Sequence, residues 1–157
     1  MSLTHCFDNS LLFEGFSKKG REFFIAGMAK KRYSAGEAVF SAGDPGVGLY
    51  LLTEGSLEII LPLSTGKEEI LATLEPGDHF GDITFLVGGD HLSSVIAKED
   101  SEIMILSRTD FMRLQKEKPQ TCLKLLHRTI HIFSQRLRKQ QPLFEMMVIA
   151  AGELKSQ

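Results

Sequence analysis

The spacing of apolar positions changes twice along the chain, and the changes divide it into three regions. In residues 11–31, Leu12, Phe16, Phe23, Phe24, Ala26, Gly27 and Met28 lie among Lys, Arg and Glu at near-helical spacing. Ser17 suits an N-cap, because its hydroxyl can accept a bond from a first-turn amide. The pattern therefore predicts an amphipathic helix over residues 18–30. From Tyr33 to Arg108 the period falls towards two. Short apolar segments at 38–41, 48–53, 56–61, 69–74, 94–98 and 102–106 are separated by "SAGE", "AGDPGVG", "TEGS", "STGKE" and "EPGDHFG". Strands this short and this often interrupted predict an antiparallel sandwich or barrel, and about eight strands suit a jelly roll.

From Asp110 onward helix formers return. Thr109 or Asp110 is placed to cap a short helix through Leu114, and Pro119 suits the first position of a longer one over residues 119–140. Along that helix Leu123, Leu126, Ile130, Phe133 and Leu137 follow at steps of three, four, three and four, a seam of about two heptads. Cys122, Leu125 and Ile132 widen the apolar face, which suits a helix touching both its own domain and a partner. The alternative is a helix lying only on its own domain. Pro142 is expected to interrupt, with "LFEMMVIAAGEL" forming a second, more apolar helix. This divides the chain into a domain over residues 11–139 and a helical tail over 142–157.

Composition narrows the function class. The chain has 157 residues, 43% of them hydrophobic, which allows one domain with an ordinary core. A net charge of −2 gives no overall basic character to attract nucleic acid, and the apolar runs are too short to span a bilayer. Cys6 and Cys122 stand far apart without a CxxC, as reduced thiols of a cytoplasmic protein would. Ten of the 14 glycines fall between Gly36 and Gly89, where Gly43, Gly46, Gly55 and Gly77 mark tight turns.

The order of these features, with "YSAGEAVFSAGDPGVGLYLLTEGSLEI" at 33–59 and "LEPGDHFGDITFL" at 74–86, resembles the cyclic nucleotide-binding domain. That family includes catabolite activator proteins, regulatory subunits of cyclic-AMP-dependent kinase and nucleotide-gated channels. The resemblance covers residues 11–139 and implies a jelly-roll β-roll with an N-terminal helix, a short helix inside the roll and a long C-terminal helix. It also implies that "FGDITFLVGGDHLSSVIA", residues 80–97, is the phosphate-binding cassette. In the family a Phe-Gly-Glu segment opens the short helix, Glu accepts the ribose hydroxyl, and an Arg some ten residues on pairs with the phosphate. Phe80 and Gly81 match, and Asp82 takes the Glu position with a side chain one methylene shorter. Ile83, Thr84, Phe85 and Leu86 match the short helix, and Ser93 and Ser94 match the small polar pair.

The arginine position falls on Leu92. A phosphate monoanion is held there by two charge-assisted bonds, each worth roughly 1.5–3 kcal/mol, so the loss should weaken binding by at least about a hundredfold. No other cation replaces it by spacing. Lys98 lies six residues along the adjoining strand, Lys67 sits in a loop, and the His91 side chain should point opposite to that of Leu92.

Other chemistry is weaker. His127 and His131 are four apart on the long helix but have no third ligand, and His5, His79 and His91 are scattered, with no HxH pair of the kind metal-binding cupin barrels use. No metal site and no Ser-His-Asp or Cys-His arrangement is expected. The runs "KKR" at 30–32 and "RLRK" at 136–139 read as solvated helix ends. In transcription-factor members of the family the long helix leads into a helix-turn-helix, for which the 18 residues after Lys139 (157 less 139) are too few. The expectation is thus a non-enzymatic cytoplasmic sensor or regulatory domain without a cofactor, forming a homodimer through the long helix. Its ligand would be cyclic AMP or cyclic GMP, held weakly, or another small molecule. The alternatives are a dimerisation or docking module with a vestigial pocket, a truncated catabolite-activator-type regulator, or a cupin-like metal enzyme.

Overall fold

In the computed structural model, which describes residues 3–155, the alternation of the middle region becomes two four-stranded sheets facing one another. One sheet has the order β1 (Ala29–Tyr33), β8 (Ser101–Ser107), β3 (Gly48–Glu54), β6 (His79–Phe80). The other has the order β2 (Ala38–Phe40), β7 (Ser94–Ala97), β4 (Leu57–Pro62), β5 (Glu68–Leu74). All pairings are antiparallel, as the jelly-roll expectation requires.

β3 shows why the roll and the helices hold together. Six of its seven residues are buried, so it is covered on both faces. Leu49 and Leu51 point to a core shared with the helices, while Tyr50 and Leu52 point into the roll. β8 alternates in the same way, with Met104 and Leu106 on the helical side and Ile103 inside. The helical core gathers Phe7 of α1 (Leu3–Asn9), Phe24 of α2 (Lys18–Gly27), Phe111 of α4 (Arg108–Glu117) and Leu125 of α5 (Pro119–Lys155) around these strand residues. α5 presents two apolar faces. Cys122, Leu125 and Ile132 are buried against the chain's own domain, whereas Leu123, Ile130 and Leu137 are 44%, 50% and 53% exposed. No described helix is long and apolar enough to cross a membrane.

Several local expectations are corrected. α2 is capped by Ser17 as expected but ends at Gly27, not Lys30. Gly27 packs so close to Leu114 that a Cβ would lie 2.7 Å from its Cδ1, and Ala29–Tyr33 then pairs with β8. The basic run at 30–32 is therefore an edge strand, not a helix end. Lys30 and Arg32 pair with the buried Glu102 at 2.8 and 3.1 Å and hold its carboxyl below the usual range. α4 is capped by Ser107 rather than Thr109 or Asp110, and it continues to Glu117. Pro142 does not break the last helix, since α5 continues through it to Lys155. Pro142 and Arg138, whose carbonyl loses its amide partner there, are both exposed residues. How the tail packs turns on side chains outside the described residues.

Candidate functional site

The cassette is built around α3 (Asp82–Val87). Gly81 enters it with φ 75°, and a Cβ there would sit 2.7 Å from the Tyr50 ring and 3.1 Å from the Gly48 carbonyl. Only glycine meets both conditions. Phe80 stacks on Tyr50 inside the roll, ring centroids 5.0 Å apart. Phe85 anchors α3 edge-on against Phe111. Ile83 and Val87 face outward, 46% and 80% exposed. Thr84 is buried, donates to the Gly81 carbonyl at 3.2 Å, and fills the space that a side chain at Gly46 would need.

A residue the sequence did not single out closes the other end of this short helix. Arg108, the first residue of α4, donates to the carbonyls of Thr84, which also accepts from the Gly88 amide, and Phe85 in the last turn. The loop that follows is tied to the turn between β2 and β3. Gly46 donates to the Gly89 carbonyl at 3.0 Å, His91 to the Asp44 carbonyl at 2.8 Å, and Gly43 to the His91 carbonyl at 2.8 Å. Ser94 Oγ accepts from the Ala42 amide at 2.9 Å, and Ser93 beside it is half-buried. Leu92 is 77% exposed while His91 is buried and stacked on Phe40 at 3.5 Å, so the two side chains do diverge.

Asp82 is the point where cassette and long helix meet. Its carboxylate is buried and accepts from Arg136 Nη1 of α5 at 3.1 Å, with His79 Nε2 3.8 Å from the same oxygen. The run at 136–139 is therefore not a solvated helix end: α5 continues past it to Lys155, and Arg136 is turned onto Asp82. Burial first, and then Arg136, push the His79 imidazole down to about 4, against the opposite pull of Asp82 and Asp78. His79 is neutral at neutral pH, and the Arg136–Asp82 pair is the charge pair of this contact. The cations weighed from sequence are placed elsewhere: Lys98 pairs with Glu58 at 3.5 Å, and Lys67 is exposed in the β4–β5 turn.

The structure thus brings together Phe80, Gly81, Asp82, Thr84 and Ser94, with Ile83 and Leu92 on the outer surface. His79, His91, Arg108 and Arg136 were missed as site residues. The signal for Arg136 was its basic run. That for His79 was its place directly before Phe80. Of the seam, Leu123, Ile130 and Leu137 are exposed, while Leu126 and Phe133 are half-buried and Leu126 touches the helical core. His127 and His131 lie on the exposed side of α5, and no described group of three or more His, Cys, Asp or Glu is arranged for a metal. A polar cleft of about 310 Å³ at Arg32, Ser34, Asp100 and Glu102 lies away from the cassette. Two of its three acids are already bonded, Asp100 by the Ala35 amide and Glu102 by Lys30 and Arg32, and the third, Glu54, is exposed.

Comparison with known proteins gives these placements a context. The model of the family described as the cyclic nucleotide-binding domain matches residues 30–118. A curated relative, the cyclic AMP receptor protein of Thermus thermophilus, is 30% identical over 130 residues, which is 83% of this chain and 58% of that protein. The cAMP-dependent protein kinase regulatory subunit of Emericella nidulans is 35% identical over 83 residues, 53% of this chain and 19% of that one. Among solved structures, the Thermus thermophilus catabolite activator protein superposes with a TM-score of 0.81 at 28% identity, covering 88% of this chain and 63% of that chain. The chain therefore spans less than two thirds of the length of each of these proteins.

Proposed function

The chain belongs to the cyclic nucleotide-binding domain family, and from that premise we propose that it is a non-enzymatic sensor or regulatory domain with a weakened cassette. One observation carries this function. The acid of the cassette, Asp82, is held by Arg136 of the long helix at 3.1 Å, so whatever competes for that carboxylate alters the hold of the cassette on α5. A ribose hydroxyl approaching Asp82 is such a competitor. The cassette would receive a cyclic nucleotide weakly at neutral pH, because Leu92 places an apolar side chain where the family has its phosphate-pairing arginine.

The signal would pass to a second copy of the chain through the outer face of α5. Leu123, Ile130 and Leu137 recur every seven residues along it and leave an apolar stripe in water. The buried face of Cys122, Leu125 and Ile132 keeps the same helix on its own domain. A helix fixed on one side and unpaired on the other suits a homodimer contact.

Isothermal titration with cyclic AMP and cyclic GMP tests the binding step. Wild type should bind more weakly than low micromolar, and Leu92→Arg should tighten binding by about a hundredfold or more. Low-micromolar or tighter binding by wild type would sink the weakened cassette. An unresponsive Leu92→Arg would favour the vestigial docking module. Hydrogen exchange of α5 around Arg136 should rise when the nucleotide is added, and unchanged exchange would sever the link to the helix.

A further inference from the structure

Among the described residues two buried side-chain polar atoms have no hydrogen-bond partner, His79 Nε2 and His91 Nε2, and they flank α3 on either side. An orphaned polar atom in a folded core calls for a reason. His79 has one in the neighbouring Asp82–Arg136 pair. His91 has none within the chain. It precedes Leu92 in the cassette, but its ring turns inward onto Phe40, opposite to the exposed Leu92 side chain.

The contacts of His91 favour one tautomer. Thr84 Oγ1 donates its single hydrogen to the Gly81 carbonyl at 3.2 Å, so towards His91 Nδ1, 3.5 Å away, it is an acceptor. Nδ1 then holds the imidazole hydrogen and Nε2 presents a bare lone pair. Such a nitrogen repels an anion until it gains a proton, after which it donates to that anion.

We propose that His91 supplies the positive charge the cassette lacks, by taking up one proton at Nε2 when the phosphate monoanion of a cyclic nucleotide enters. The proton comes from solvent and the phosphate stays a monoanion, so imidazolium and phosphate form a neutral pair. This rests on the reading that the cassette receives a cyclic nucleotide. The groups around His91 are compatible with the charged state. Asp44 of the β2–β3 turn and Asp90 of its own loop favour it, and the Phe40 ring of β2 lies parallel against it. Tyr50 of β3 is kept neutral by burial, which pushes its hydroxyl up to about 12. Arg108 of α4 is bonded to the carbonyls of Thr84 and Phe85. Burial opposes these acids and keeps the empty site neutral, with the imidazole below its ordinary value.

The consequence has a definite sign. Between the lowered value of the empty site and the raised value with phosphate bound, binding consumes one proton. The dissociation constant then falls by up to about tenfold per unit of decreasing pH. The test is titration of the whole chain with cyclic AMP from about pH 5.5 to about pH 8.5, in pairs of buffers with different protonation enthalpies. Close to one proton should be taken up per nucleotide at the acid end, with tighter binding there. His91→Gln should abolish both the uptake and the tightening at low pH, whereas His127→Gln, on the exposed side of α5, should retain both. The imidazole proton resonance of His91 should titrate at higher pH with nucleotide than without, which reads the same event in the unaltered chain. Binding without proton uptake, or uptake that survives His91→Gln, overturns this inference alone. No binding at any pH, by wild type or by Leu92→Arg, overturns it together with the cyclic-nucleotide function.

Discussion

The aromatic cluster beneath α5 and the cassette across β3 use similar residue types but are finished differently. Under α5, Phe7, Phe13, Phe16 and Phe24 meet at centroid distances of 4.8 to 5.9 Å, and cations close the polar backbone at the rim. Arg128 donates to the Leu11 carbonyl, Lys124 to that of Gly15 and Arg21 to that of Phe16. Around the cassette, Phe40, Tyr50 and Phe80 stack as well, but two imidazole nitrogens are left without partners and a carboxylate is drawn out to a helix. The first region is saturated and serves stability. The second retains two imidazole nitrogens to which the described residues offer no partner.

The comparison breaks most readily in the saturated cluster. Phe24 is fully buried against Phe13, Phe16 and Phe23, so Phe24→Ala should cost about 3–5 kcal/mol in chemical denaturation. A loss below about 1 kcal/mol would mean the cluster is loosely packed after all.

On the cassette side, His79 should make stability depend on acid. Its folded value of about 4 lies below the ordinary 6.5, so the unfolded chain binds the proton first as pH falls. Stability should therefore drop as pH falls from 6.5 towards 4, by roughly 3 kcal/mol from this residue. His79→Phe removes the titrating group and should flatten the stability curve over that window. An equally steep curve in the variant would place the acid sensitivity elsewhere.

Arg136→Met sharpens the difference by removing one partner of the cassette carboxylate. The arginine side chain is 47% exposed, so solvent takes over part of its role and the expected loss is about 1–2 kcal/mol. Slower hydrogen exchange in α5 of this variant would contradict the role of the pair in holding helix to cassette. The smallest effect on folding should come from the outer face. Ile130 is half exposed, so Ile130→Glu should change monomer stability by no more than about 0.5 kcal/mol while abolishing association in sedimentation at about micromolar concentration. A wild type that sediments as a monomer would end the dimer proposal.

The chain's own residues determined a good deal without the fold. Six strand segments fell within a residue or two of their observed ends, because β-strands bounded by glycine turns announce themselves locally. The bounds of the short helix after Gly81 and the opposite orientation of His91 and Leu92 were legible as well. What stayed hidden is what sequence-distant partners decided. β6 has two residues, too few to carry a period, and β1, exposed except for Tyr33, is made a strand only by pairing with β8. Lys30 and Arg32 meet Glu102 some seventy residues away, Arg108 reaches back 24 residues to the Thr84 carbonyl, and Arg136 reaches Asp82 across 54. Local propensity acts over a few residues, whereas a buried charge takes whichever counter-charge the folded chain brings within about 4 Å, and that choice exists only once the sheets and α5 are in place.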